Sequence, residues 1–334
     1  MISKLANSIL LILCLSGSYS AKAATDNDNQ PEAEKLLQQA EQLTDIRSSG
    51  SHSFRLVARV QVFDKKGHIR EGIYNLLWQS PTVWRDELKF ADFTQVRTAA
   101  ADKIFINRNI PSFSMEVLQL LKLLKFPDFL RSNSKAKAQN LRESIKNGSR
   151  VRTIDLAVPG NSPWKVVSLD EASPIPTRIE YKKSHYGYKF ENYMVFAGHQ
   201  YPRTLVEFDS NKPLSQVQVE DLTEANFDAS TFIPSADALW LHWCPHPEGA
   251  RLLEPETNKT YPFPSNLPFR TMEQHVVIYG IIGGDGRWHN LAVVKSAGKE
   301  MDEYWLNMVL QQRYSPAKCG EVPIEEESVM EFSL

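Results

Sequence analysis

The chain reads as an α+β protein: a curved antiparallel sheet with an inserted apolar helix, then a small β-β-α-β unit. Three observations predict this. Short period-two segments recur between Phe54 and Leu222, with turn residues between them. One leucine-rich stretch, residues 112–126, interrupts them at helical spacing. Six prolines between Pro245 and Pro268 then set off a tail with its own order of elements.

Taken in order, Pro31 opens a helix, because its fixed φ suits the first helical position. Leu36, Leu37, Ala40 and Leu43 give that helix one apolar face. Phe54, Leu56, Ala58, Val60 and Val62 then alternate with polar neighbours, as a half-buried strand requires. Further strands are predicted over 72–78, 82–90 and 104–107, joined by short turns. The helix at 112–126 carries Met115, Leu118, Leu121 and Leu124 among apolar residues spread around its circumference. A helix apolar all round is buried on more than one side. A basic stretch follows, Arg131 to Arg152, opposed only by Glu143. Its bland reading is a solvated face, and its sharper one is a set of cations near an anionic headgroup. Strands resume over 152–157, 164–168, 177–182, 188–196, 204–208 and 216–222.

In the tail, residues 276–280 and 288–294 form a hairpin around Gly283-Gly284-Asp285-Gly286, a sequence that supplies the positive φ such turns need. Residues 301–312 are helical, and Met330, Phe332 and Leu334 alternate in a last strand.

The chain's 334 residues suggest two domains. With 38 Lys and Arg against 40 Asp and Glu, it lacks the basic surplus of a nucleic-acid-binding protein. Lys4, the apolar run 9–15 and the small-x-small triplet Ala21-Lys22-Ala23 make residues 1–23 a secretory signal cleaved after Ala23. The exported chain then carries a net charge of −4 and keeps Cys244 and Cys319 in a compartment where a disulfide persists. No Gly-x-Ser-x-Gly, His-Glu-x-x-His or phosphate-loop pattern marks an enzyme, and no cofactor is expected.

The tail, residues 264–334, resembles the C-terminal domain of the TonB family. The residues that carry the likeness are Asp285-Gly286-Arg287, Val293-Val294-Lys295-Ser296-Ala297-Gly298, Tyr314-Ser315-Pro316-Ala317, Gly320, Val322-Pro323 and Met330 to Leu334. Where that family commonly has Glu-Gly, this chain has Gln274-His275. Residues 31–235 are similar to the LolA/LolB type of lipoprotein carrier, in layout and in Phe190-Glu191-Asn192-Tyr193, Gly198 to Arg203, 217–222 and Phe232-Ile233-Pro234. That likeness implies a half-open β-barrel around an apolar cavity, with 112–126 as its helical lid. Residues 236–263 would be a proline-rich linker.

These resemblances imply a non-enzymatic periplasmic binding or adaptor protein. Met115, Leu118, Leu121 and Leu124 would face a lipid or lipoprotein acyl chain. Val329, Met330, Phe332 and Leu334 would offer a strand edge to an outer-membrane transporter or another envelope protein. The alternatives are a scaffold that binds no lipid, or a membrane-anchored energy transducer should the N-terminal segment be retained. His242, Cys244 and His246 would share one side of a strand, but a structural zinc site needs four ligands and no fourth is evident. The competing reading, taken here, pairs Cys244 with Cys319.

Overall fold

The computed structural model describes residues 29–48, 52–64, 67–110, 112–128, 130, 136–146, 148–159, 161–244, 247–253 and 275–333. The signal segment 1–23, residues 245–246 and 254–263 of the linker, and Leu334 lie outside the described residues.

Thirteen antiparallel strands form one sheet. Its first part is β1 (Phe54–Phe63), β2 (Ile69–Ser80), β3 (Val83–Phe90), β4 (Thr94–Ala100) and β5 (Lys103–Arg108). Its second part is β6 (Lys137–Lys146), β7 (Ser149–Ala157), β8 (Lys165–Asp170), β9 (Pro176–Tyr181), β10 (Tyr186–Phe196), β11 (His199–Asp209) and β12 (Lys212–Glu224), and β13 (Leu239–His242) completes it. The order across the sheet is β13-β5-β4-β3-β2-β1-β12-β11-β10-β9-β8-β7-β6, so among the described residues the two ends do not pair and no closed barrel forms. The alternation read in the sequence is present. Phe54, Leu56, Ala58, Val60 and Val62 of β1 are all buried, and burying each large apolar side chain contributes about 1.5–3 kcal/mol.

Helix α1 (Gln30–Thr44) lies across the strands on the core side. Near its start the Glu34 carboxylate accepts the Ala138 amide of β6, and near its end the Gln42 carbonyl meets His199 Nδ1 of β11. Those two points are about 12 Å apart along a helix. Strands β6 and β11 are five steps apart, about 24 Å in a flat sheet. The sheet therefore curls around α1. Helix α2 (Met115–Leu123) fills the same side, packed against β1, β11 and β12, and starts from Ser114, whose side chain accepts the Val117 amide. It is shorter than the predicted 112–126, because the chain turns from Leu124 onward.

The tail holds β15 (His275–Ile282), β16 (Trp288–Lys295), α3 (Lys299–Gln311) and β20 (Glu326–Ser333), preceded by β14 (Arg251–Leu252). Between α3 and β20 lie the short strands β17 (Tyr314–Ser315), β18 (Ala317–Cys319) and β19 (Val322–Ile324). Strand order is β16-β15-β20. The hairpin turn requires Gly286: its φ is +71°, and a Cβ there would sit 2.0 Å from the Tyr314 carbonyl oxygen. Strand β15 is covered on both faces. Val276, Ile278 and Ile282 pack with α3, whereas Val277, Tyr279 and Ile281 join the core of the large sheet. Its continuous apolar run has that physical cause.

Three strands of the large sheet, and the short β14, β17, β18 and β19, differ from the sequence reading. β4 falls between predicted strands, and β6 falls in the basic stretch. β13, within residues 236–263, pairs with β5 and extends the large sheet. The last strand begins at Glu326, earlier than the alternation of Met330 and Phe332 indicated.

Candidate functional site

A cavity of about 600 Å³ opens between β2, β3 and β5, the α2 segment, β13, and the β19–β20 connection of the tail. That volume lies within the range of small-molecule sites. Its walls are mainly apolar and aromatic, with Trp78, Trp84 and Ile104 from the sheet, Leu121 from α2, and Trp243. The Trp243 indole donates to the Pro81 carbonyl at 3.0 Å and meets Trp84 edge-on at 5.1 Å between centroids.

Three of the predicted lid residues, Leu118, Leu121 and Leu124, line this cavity. Their spacing of three keeps them on one side of the turn. Val117, Leu120 and Leu123 bury the adjoining side in the core. Met115 is the departure. It packs against the core and does not line the cavity, although Phe113 just before the helix does.

One polar network stands in the wall. Asp86 lies in the buried register of β3, opposite Arg97 on β4. Arg97 Nε donates to Asp86 Oδ1 at 3.0 Å, a second bond joins Nη2 to Oδ2, and the Tyr74 hydroxyl donates to Oδ2 at 3.1 Å. Burial works against the Arg97 guanidinium, but the facing Asp86 carboxylate outweighs it and raises its pKa. Burial and the same carboxylate push the Tyr74 hydroxyl well above its ordinary range. Sequence reading missed this network, although an acid at an inward position of 82–90 was its visible sign.

The predicted cysteine pair is present. Cys244 and Cys319 form a disulfide with their Cα atoms 5.7 Å apart, and Cys244 lines the cavity. His242 Nδ1 lies 2.7 Å from Glu325 Oε2. Among the described residues no three His, Cys, Asp or Glu side chains are grouped to hold a metal, and His246 lies outside them.

The predicted strand-edge residues divide between two faces, as alternation along β20 dictates. Val329 is buried in the large core beside Tyr279, while Met330 and Phe332 face α3, where Phe332 stacks on Trp305 at 4.2 Å. Among the described residues β20 pairs with β15 on one side only, and α2 also packs against it. The Arg108 guanidinium of β5 ties the tail to the sheet, pairing with Glu327 at 2.7 Å and donating to the Tyr279 hydroxyl at 3.2 Å.

The described part of the basic stretch does not line the cavity. Arg142 is bound to Asp155, and Arg152 donates to the Glu171 carbonyl. Burial pushes the Asp155 carboxyl up, yet hydrogen bonds from Arg142, Lys182 and Asn140 outweigh it and hold it below its ordinary value.

No family model and no curated protein matches the sequence. Among solved structures, the chain is similar to a LolA-superfamily protein from Nitrosomonas europaea, at 14% identity over 60% of this chain and 97% of that one, with a TM-score of 0.41. A putative outer-membrane lipoprotein-sorting protein domain from Vibrio parahaemolyticus matches at 13% identity, over 61% and 97% of the two chains, with a TM-score of 0.41. A DUF1329 family protein from Desulfovibrio piger matches at 12% identity, over 62% and 100%, with a TM-score of 0.42. Likeness this remote carries no function from one chain to another. No helix among the described residues is long and apolar enough to cross a membrane.

Proposed function

We propose that this chain is an exported, non-enzymatic carrier of the LolA/LolB type, which holds the acyl chain of a lipid or lipoprotein in the cavity beneath α2. The observation that carries this reading is the cavity itself: about 600 Å³, walled by indoles and aliphatic side chains, with Leu118, Leu121 and Leu124 on its helical side. A filled core at native packing density has no such space. The test is extraction of the purified exported protein with organic solvent, together with titration of a fluorescent fatty acid. Co-purifying lipid and saturable binding are expected. An empty protein that fails to bind the probe overturns the carrier and leaves a scaffold.

The tail would serve as a TonB-type unit that docks an outer-membrane transporter or other envelope protein by strand addition. The pairing of β20 on one side only, among the described residues, supports this, since a strand with an unpaired side can accept a partner strand. Periplasmic residence rests on the signal segment. N-terminal sequencing is expected to give Ala24, and a mature chain beginning at Met1 would revive an anchored transducer.

A further inference from the structure

The polar groups around the cavity are unevenly paired. Acids that face it already have donors. Asp86 holds Tyr74 and Arg97, and Glu325 holds His242. Glu326 accepts the Ala250 amide at 2.6 Å, and Glu327 accepts from Arg108 and Tyr279. Asp45 caps the Arg47 amide at 2.9 Å, and Asp128 is engaged as well.

The cations differ. Lys122 and Lys125, in the last turn of α2 and just after it, both line the cavity, and neither ammonium has a hydrogen-bond acceptor among the described residues. Arg47 lines it too. Its guanidinium donates from Nη2 to the Leu124 carbonyl at 2.5 Å, and its buried Nε has no acceptor. Lys122 and Lys125 are both exposed residues on the cavity lining. Burial, followed by repulsion from Arg97, lowers the pKa of Lys125 against attraction from Asp128 and Glu326, with Arg47 adding to the repulsion. The lining thus carries both signs, with Asp45, Asp128 and Glu326 near these cations, and the three cations keep N–H groups that no acceptor among the described residues takes.

We infer that the cavity selects an amphiphile with an anionic head, phosphate or carboxylate, seated on Lys122, Lys125 and Arg47 with its acyl chain among the tryptophans and leucines. This rests on the carrier reading above and narrows its ligand class. An anion would satisfy all three cations at once, and charge-assisted bonds in a partly dry site are the strong kind. A lysine at a helix C-terminus also complements the helix dipole, so the lysines alone would have a structural role. The test therefore compares heads on one chain length.

Isothermal titration calorimetry of the full exported chain with dodecyl phosphate, dodecanol and dodecyltrimethylammonium, below their micelle concentrations, separates these roles. Dodecyl phosphate is expected to bind at least about tenfold more tightly than dodecanol, with the cationic amphiphile weakest. In the Lys122→Gln/Lys125→Gln double variant that ratio should fall to near one, with dodecanol affinity unchanged. Equal binding of phosphate and alcohol by the wild type overturns the anion preference and leaves the carrier standing. Failure of all three amphiphiles overturns both. Inorganic phosphate binding as tightly as dodecyl phosphate would make the site an anion site without a chain and overturn the amphiphile. A variant that keeps the wild-type ratio removes the lysines from the assignment.

Discussion

Replacing Lys165 by Met should make the protein more stable at neutral pH and remove most of a steep pH dependence. Lys165 lies on β8 with no exposed surface. Its ammonium donates to the Leu130 carbonyl at 3.1 Å and sits 4.9 Å from the Trp164 ring centroid and 5.6 Å from that of Tyr181. Burial lowers its pKa from 10.5 to about 7, against weak support from Glu41. A drop of that size corresponds to about 5 kcal/mol between the two protonation states. Between pH 7 and 10.5 the unfolded chain binds a proton that the folded chain does not, so stability rises with pH across that window and is flat below it. Urea unfolding of both proteins at pH 6, 8 and 10 reads the effect directly. The wild type should gain about 4 kcal/mol on the variant between pH 6 and 10. Parallel stability curves, or a variant less stable than wild type at pH 6, would refute the buried-lysine argument.

Three further outcomes follow from the geometry. Asp86→Asn leaves Arg97 buried against a neutral partner and should cost about 3–5 kcal/mol; adding Arg97→Met should recover part of it, as a double-mutant cycle in urea would show. Breaking the disulfide with Cys244→Ala and Cys319→Ala, which are 75 residues apart, should lower unfolding stability by about 4 kcal/mol in the chain-entropy model. The native exported protein should show no reactive thiol on titration under denaturing conditions. Leu118→Trp places an indole into the cavity and should weaken fluorescent fatty-acid binding at least about tenfold without lowering the melting temperature, because added bulk enters empty space.

What the sequence revealed, and what it hid, has physical causes. The β1 alternation was legible because one face of that strand is dry and the other wet. The Gly283–Gly286 hairpin was legible because Gly286 stands against the Tyr314 backbone, where no side chain fits. Strand β4 was hidden because its inward Arg97 is stabilised by Asp86 and Trp84 on the neighbouring strand, a pairing across strands that linear alternation does not express. Strand β6 was hidden because it is an edge. It carries charges and an irregularity between Gln139 and Arg142, with Asn140 at φ +54°, the devices by which edge strands resist unwanted pairing. Within the site, the leucines of α2 announced themselves by spacing. Arg47 did not, since it sits in a turn after α1 and meets the cavity only through the fold.

The cavity walls run from Asp45 to Ser328, so no contiguous stretch of chain contains the chamber. Its last wall, the start of β20, follows all the others in order of synthesis. Until that strand seats, Trp84, Leu121 and Trp243 are short of a covering partner, and the partly folded chain presents a sticky apolar surface to water. Contacts this far apart in sequence form late and slowly. A protein built this way has its most aggregation-prone moment just before completion, and an amphiphile present at that moment would shelter the surface that it later occupies.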